Sequence, residues 1–380
     1  MNRMAGTKWL RKLGCLLLLA WFSSGVSPAA AQAAAPTPDP TRPSGAQTDP
    51  IPKLAYYYIW FDPSSWNRAK TDYPILGKYS SSDVDVMRQH IRWAKSAGLA
   101  GFIVSWKNTP VLSARLRDLV RVADESDFKL AIIYQGLDFQ RNPLPASRVA
   151  ADLDYFTSNF ASDPAFNLFG KPLVIWSGTW KFSETDIAAV TAPRREKLLI
   201  LASEKNAAGY RRVARLVDGD AYYWSSVNPD TNPDYGSKLV GMADAIHAEH
   251  GLWIAPAAAG FDARLIGGKT VVDRANGNLL RQEVATALSS NPDAVGIISW
   301  NEFSENSYIE PSQKYGMLYL DVLKSIHNTA SPQVAEFDSS APGNVRTTPI
   351  SGNVWVALGG FAVLSIASLA VLGWRQHHQR

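Results

Sequence analysis

Between about Lys53 and His327 the chain alternates strand-length apolar runs with longer amphipathic stretches, and it does so eight times. The runs are Leu54 to Trp60, Gly101 to Trp106, Lys129 to Tyr134, Pro172 to Trp176, Leu198 to Ala202, Asp220 to Trp224, Trp253 to Ala257 and Ala294 to Trp300. Continuous apolar runs of this length suit strands buried on both faces, which is the condition of a parallel sheet covered by helices. The helical stretches are Ser82 to Ala97, Ser113 to Ser126, Ala146 to Phe160, Gly209 to Val217, Asp234 to His250, Leu279 to Leu288 and Tyr315 to His327. In the first of these Val86, Ile91 and Trp93-Ala94 recur near the helical period, and Gly98 supplies the stop. Eight strand-then-helix units in about 275 residues match the size and period of an α/β (β/α)8 TIM barrel. An open doubly wound sheet competes with it, but no glycine-rich phosphate turn follows the first strand.

In such a barrel, chemistry belongs at the C-terminal ends of the strands. Trp60, Trp106, Trp176, Trp224 and Trp300 all stand at or just beyond a predicted strand end, with Tyr134 placed likewise. Aromatic faces stack on the C–H faces of sugar rings, so a ring of them at the mouth suits a carbohydrate, although some would simply cap the core. The carboxylates predicted at this face are Asp62, Asp138, Glu204, Asp262, Glu302, Glu305 and Glu310. Glycosidic cleavage commonly needs one protonated and one ionised carboxyl group, and Glu302 and Glu305 form the best pair. Glu310, preceding a proline, reads as structural. The six histidines fall on predicted helices (His90, His247, His250), at the last helix end (His327) or in the tail (His377, His378). A Ser-His-Asp triad or a His-ligated zinc is therefore not expected, and His247 with His250 reads as a solvated helix face.

The ends of the chain carry a different message. Lys8, Arg11 and Lys12 precede an apolar run from Leu13 to about Val26, and Ala29-Ala30-Ala31 offers a cleavage site, the pattern of a secretory signal over residues 1–31. The single cysteine, Cys15, lies inside that signal, so the secreted chain would have no disulfide or thiol chemistry. Residues 32–52 and 329–353 read as Ala/Pro/Thr-rich and polar spacers flanking a domain at 53–328. Val354 to Trp374 holds no formal charge and is long enough, at about 1.5 Å per residue, to cross roughly 30 Å of hydrocarbon. Arg375 and Arg380 follow it, which predicts a single-pass anchor with a 375–380 cytoplasmic tail and the domain outside the cell. A cell-wall sorting signal is the alternative, but Thr348 to Gly352 lacks its leucine-proline-x-threonine-glycine. The formal charge of +4 is scattered, with no stripe suited to nucleic acid.

The run Ile254-Ala255-Pro256-Ala257-Ala258-Ala259-Gly260-Phe261-Asp262, then Arg264, Asp273-Arg274-Ala275-Asn276-Gly277, Trp300-Asn301-Glu302-Phe303-Ser304-Glu305 and Ile309-Glu310 resembles glycoside hydrolase family 99. That family contains the endo-α-mannosidases and endo-α-mannanases; its family 71 relatives are similar more loosely. The similarity covers roughly Leu54 to Tyr315, with Tyr56-Tyr57-Tyr58-Ile59-Trp60 and Ser105-Trp106 resembling the first two strand ends. The resemblance implies a retaining glycosidase that needs no cofactor or metal. In it the residue matching Glu302 takes the proton of the substrate's 2-hydroxyl to give a 1,2-anhydro sugar, and the one matching Glu305 protonates the leaving oxygen and then activates water. Together with the strand-end aromatics it gives a substrate-binding set of Tyr57, Trp60, Trp106, Tyr134, Gln135, Trp224, Asp262, Arg274, Asn276, Trp300 and Asn301. The chain departs from the family pattern at Phe303, usually Trp, at Asn306, usually Gly, and at Gln135, where the family carries a glutamate. A non-catalytic glycan-binding or wall-tethering barrel and an α-1,3-glucanase nearer to family 71 stand as alternatives.

Overall fold

The computed structural model describes residues 51–326 except Ala69, so the expected signal, the first spacer up to residue 50, the second spacer, the expected membrane span and the expected cytoplasmic tail lie outside the described residues. Among the described residues no helix is long and apolar enough to cross a membrane. The described residues form ten strands: β1 (Lys53–Tyr58), β2 (Gly101–Trp106), β3 (Lys129–Gln135), β4 (Leu173–Ser177), β5 (Leu199–Leu201), β6 (Gly219–Ala221), β7 (Leu252–Ala258), β8 (Phe261–Asp262), β9 (Val271–Val272) and β10 (Ala294–Ile298). Eight of them form one parallel sheet in the order β5-β4-β3-β2-β1-β10-β7-β6. A parallel bridge from Ala202 to Asp220 joins the two edge strands and closes the ring. The doubly wound alternative is thereby excluded, and the architecture is a (β/α)8 barrel. Strands β8 and β9 are a small antiparallel hairpin inserted after β7.

Eight helices surround the ring: α1 (Val84–Ser96), α2 (Pro110–Glu125), α3 (Ala146–Asn159), α4 (Glu184–Thr191), α5 (Ala207–Val213), α6 (Tyr235–His247), α7 (Asn278–Ser289) and α8 (Leu318–Ser325). Local chemistry explains where their ends differ from expectation. Helix α2 starts a turn early because the Thr109 hydroxyl caps it and Pro110 fits its first position. Asn206 caps α5 in the same way, so the helix starts at Ala207, two residues before the predicted start. Helix α4 has no counterpart in the sequence-based expectation; it is one short segment capped by Ser183, and its apolar face is weakly patterned. His250 lies beyond α6, with a φ of 58°, and His247 sits 3.2 Å from Asp293.

Strand parity divides the core into two. Leu54, Tyr56, Ile103, Ala131, Ile133, Leu173, Ile175, Leu201, Ala221, Ile254 and Ile298 fill the barrel interior. Their immediate neighbours, such as Ala55, Phe102, Val104, Ile132, Val174 and Ile200, belong to the larger layer between strands and helices. Gly296 leaves room for the Tyr56 ring inside, where a Cβ would come within 2.9 Å of it. Gly219 is more constrained still: its φ is 149°, and a Cβ would run into the Leu252 carbonyl across the β6–β7 pair. Gly219→Ala is therefore expected to cost about 3 kcal/mol. Gly241→Ala, inside α6 with nothing within 4 Å of the added carbon, should instead add about 0.5–1 kcal/mol. Urea denaturation of the two variants beside the parent checks both signs.

Candidate active site

Strand β10 ends at Ile298, and the chain then forms a tight loop, 299–310, across the top of the barrel. Its start is tied to β1 by more than strand pairing. Trp300 N–H donates to the Tyr56 carbonyl at 2.8 Å, and the Asn301 amide then takes over the role of a paired backbone. Its Oδ1 accepts from Tyr58 N–H at 2.8 Å and its Nδ2 donates to the Tyr58 carbonyl at 2.9 Å. Asn301 is fully buried, so its place is in the scaffold and not against a ligand. Below it, Glu310 accepts from the Tyr79 hydroxyl at 2.8 Å and lies 3.0 Å from His90 Nε2. Glu310 is structural, as the sequence suggested.

The far side of the loop is held by Arg274. Its guanidinium donates to the carbonyls of Asn306 (2.7 Å) and Tyr308 (2.8 Å) and lies over the rings of Tyr308, Tyr315 and Tyr319 at 4.4–4.9 Å. Gly260, with a φ of 141°, must be glycine for the Arg274 stem to pass. Asn306 has a φ of 51°, a left-handed conformation that asparagine tolerates almost as readily as glycine. The departure from the family's glycine therefore leaves the backbone path intact. Phe303, in place of Trp, stacks on Tyr308 with centroids 4.0 Å apart. The Asp262 N–H donates to the Glu305 carbonyl at 2.7 Å, which couples the β8–β9 hairpin to the loop.

Within this frame Glu302 and Glu305 are each only 1% exposed. The Glu302 carboxylate accepts from the Ser304 N–H at 3.0 Å, while its Oε2 has no hydrogen-bond partner. Burial pushes its pKa up to about 7, against the lowering influence of Lys70 and Ser304. Lys70 itself donates to the Ser304 hydroxyl at 2.6 Å. Both carboxylates act electrostatically on the same two tyrosines, Tyr58 and Tyr223, whose hydroxyls are 2.8 Å apart. Burial above all holds both phenols well above their ordinary range, helped at Tyr58 by these charges and at Tyr223 by Tyr58 and then by these charges. A buried pair of carboxyl groups beside two neutral phenols at a strand end is equipped for proton transfer.

The other five carboxylates predicted at this face are engaged elsewhere. Asp62 is ion-paired with Arg115, Glu204 with Arg212 at 3.2 Å and Asp262 with Arg264 at 2.6 Å. Asp138 folds back on the Asn142 N–H at 2.8 Å, and Glu310 is bound as described.

Strand parity corrects the expected ring of aromatics. Tyr57 points outward, its hydroxyl 3.0 Å from His90 on α1. Trp106 packs against Tyr155 and Phe156 of α3, and the Tyr134 hydroxyl donates to Asp152 of the same helix at 2.9 Å. Trp300 lies against His90 and Phe102. The same parity places Trp176 against Phe182. All of these rings are fully or nearly fully buried in the layer between strands and helices, with no face left for a sugar. Asn276 is exposed beyond the Arg274 clamp. Trp60 packs on Tyr58 at 4.4 Å, Trp224 is half-buried next to Tyr222, and Gln135 reaches the Ser105 hydroxyl at 3.2 Å on the inward side of its strand. These three stay with the mouth. Tyr58, Tyr223 and Lys70 were absent from the sequence-derived set; counting alternate positions inward from Leu54 and Tyr56 finds Tyr58.

The sequence profile of glycosyl hydrolase family 71 matches residues 72–330, more than half of the 380-residue chain. No curated protein matches. Among solved structures, the fold is similar to that of the family 99 endo-alpha-mannosidase from Bacteroides thetaiotaomicron in complex with BIS-TRIS-propane, at 22% identity and a TM-score of 0.65 over 72% of this chain and 95% of that one. A second structure of the family 99 endo-alpha-mannosidase from that organism gives 20% and 0.62 over 71% and 95%. A glycoside hydrolase-like protein gives 17% and 0.53 over 72% and 94%.

Arg274 and Arg264 make opposite demands on the same neighbourhood, because the first is 7% exposed and the second has a side chain 68% exposed. Both carbonyls accept from the one Nη2, which the planar guanidinium holds in place by lying on three tyrosine rings; Arg274→Lys loses that plane and should cost about 2 kcal/mol. Arg264→Lys should stay within about 1 kcal/mol of the parent. Thermal or urea unfolding of both variants tests the clamp; equal losses would disprove it.

Proposed function

The chain belongs to glycosyl hydrolase family 71 and is a glycoside hydrolase, and on that premise we propose that it cleaves α-linked, α-mannan-like glycans with retention of configuration, using Glu302 and Glu305. The observation that carries this reading is the burial of both carboxyl groups in one short loop at the end of β10, beside the paired hydroxyls of Tyr58 and Tyr223. Glu302, with a carboxylate oxygen left without a protein donor, is suited to accept the proton of the substrate's 2-hydroxyl. The freed oxygen then closes on the anomeric carbon while Glu305 gives its proton to the leaving oxygen. In the second half Glu305 takes a proton from water, the water oxygen opens the three-membered ring at the anomeric carbon, and Glu302 returns its proton to the 2-oxygen. No covalent bond to the protein forms. The nearness of both carboxylates to the same phenols supports this division, because the base must reach a position next to the carbon at which the acid works.

Location follows from the chain ends: residues 1–31 would direct export, and 354–374 would hold the enzyme in the membrane with its barrel outside and a short cytoplasmic tail. Protease treatment of intact cells, followed by blotting for each end of the chain, tests that topology. Protection of the barrel from the protease would overturn it.

Two kinetic outcomes are expected. Reducing-end release from a panel of α-mannans and α-1,3-glucan should fall about a hundredfold to ten-thousandfold in Glu302→Gln and in Glu305→Gln; variants as active as the parent would remove both residues from the mechanism. Glu302 must be ionised to act as base, so kcat/KM should rise as pH increases through about 7. A rate that instead falls through that pH would assign Glu302 the role of acid.

A further inference from the structure

The loops that follow the first six barrel strands each carry a cation: Lys70 after β1, Lys107 after β2, Arg141 after β3, Lys181 after β4, Lys205 after β5 and, in the first turn of α6 beyond β6, Lys238. Among the described residues none of the six forms an ion pair within 4.0 Å, in contrast to the arginines that neutralise Asp62, Glu204 and Asp262. Lys70 and Arg141 have an evident task, since they act on the charges of Glu302 and Glu305 respectively. Lys107 donates to the Leu137 carbonyl at 3.1 Å and feels Asp138 and Asp152.

Lys238 has no such anion, and Lys205 feels only Glu204, which is already ion-paired with Arg212. Lys205 stands over the Trp180 ring at 4.5 Å, and Lys238 stands over Tyr222 at 4.3 Å and Trp224 at 5.0 Å. Lys238 also donates to the Tyr222 hydroxyl at 2.7 Å. Trp180 and Trp224 are both half-buried, in contrast to the fully covered Trp106, Trp176 and Trp300. Lys205 is disfavoured by burial, by Arg141 and by Lys181, with Glu204 only partly offsetting them. Burial and then Lys205 bring the Lys238 ammonium down to about 8. Arg141, Lys181, Lys205 and Lys238 repel one another on a side of the mouth where Arg212 already neutralises Glu204; such like charges raise the free energy of the empty site, and an incoming anion relieves it. A half-buried aromatic face with an ammonium beside it matches a sugar ring that carries a negative substituent.

We infer that the glycan this enzyme binds is anionic, bearing carboxylate, sulfate or phosphate groups, and that Lys205 beside Trp180 and Lys238 beside Trp224 receive those groups. This deepens the proposed function and rests on its placement of the active site at this mouth. Neutral mannan would then be a weaker ligand than an acidic glycan of similar backbone.

The test is calorimetric titration of the full-length Glu302→Gln protein, in detergent, with oligosaccharides of equal length: neutral α-mannan, and α-linked forms carrying uronic acids, sulfate or phosphate. The acidic ligands should bind about tenfold or more tightly than the neutral one, and raising salt from about 50 to about 500 mM should erase most of that difference. The ranking among the three acidic forms identifies the anion. Adding Lys205→Gln and Lys238→Gln should reduce acidic binding about tenfold and close most of the gap between acidic and neutral ligands. Equal affinity for neutral and acidic ligands, or a preference for acidic ligands that is insensitive to salt, overturns the proposal without touching the catalytic assignment. The catalytic assignment fails separately, if Glu302→Gln still releases reducing ends.

Discussion

A closed ring of parallel strands gives each strand residue only two directions, into the barrel or out toward the helices, and almost every feature of this molecule follows from that choice. Once Leu54 and Tyr56 are inside, Tyr58 turns the same way to meet Tyr223 at the mouth, and Tyr57 is committed to α1. The same rule sends Ser105 and Gln135 to the mouth while Trp106 and Tyr134 support α3. The barrel mouth is consequently lined by polar groups on a wall whose outer surface is aromatic.

The loop after β10 combines a functional liability with its remedy. Two carboxyl groups almost without solvent are unfavourable unless the surrounding backbone is prevented from relaxing away. Restraint comes from both sides: the Asn301 amide joined to the backbone of Tyr58, and the Arg274 guanidinium bound to the carbonyls of Asn306 and Tyr308. Neither group needs to meet a ligand to matter. Burial of the Glu302 carboxyl, and with it the rise of its pKa to about 7, depends on that restraint.

The alternation of apolar runs and helical stretches was enough to read the barrel, because a parallel sheet sheathed by helices makes its strands apolar throughout. The helix α4 escaped because eight residues with weak patterning carry little periodic signal. The paired glutamates were legible from their position after the last strand. The orientation of the aromatics was not, for a simple reason: a tryptophan at a strand end looks the same in sequence whether it faces in or out, and a one-residue difference in where the strand begins to pair reverses the answer. The resemblance drew attention to Arg274 and Asn301 as substrate contacts, whereas their partners here are backbone atoms of the fold, which no residue pattern identifies. Lys70 went unnoticed because it meets Ser304 across a separation of 234 residues.

The anchoring of the 299–310 loop also divides the molecule's evolutionary freedom. Arg274, the β8–β9 hairpin and α8 lie between β7 and the end of the domain, and most of what holds the two glutamates comes from that last part of the chain or from the backbone of β1. The loops after β2 to β6 contribute cations and half-buried rings but few of those restraints. Sequence drift there can exchange one ligand preference for another while the glutamate-bearing loop remains in place. Relatives with the same last third and different middle loops would therefore be expected to share a reaction and differ in diet.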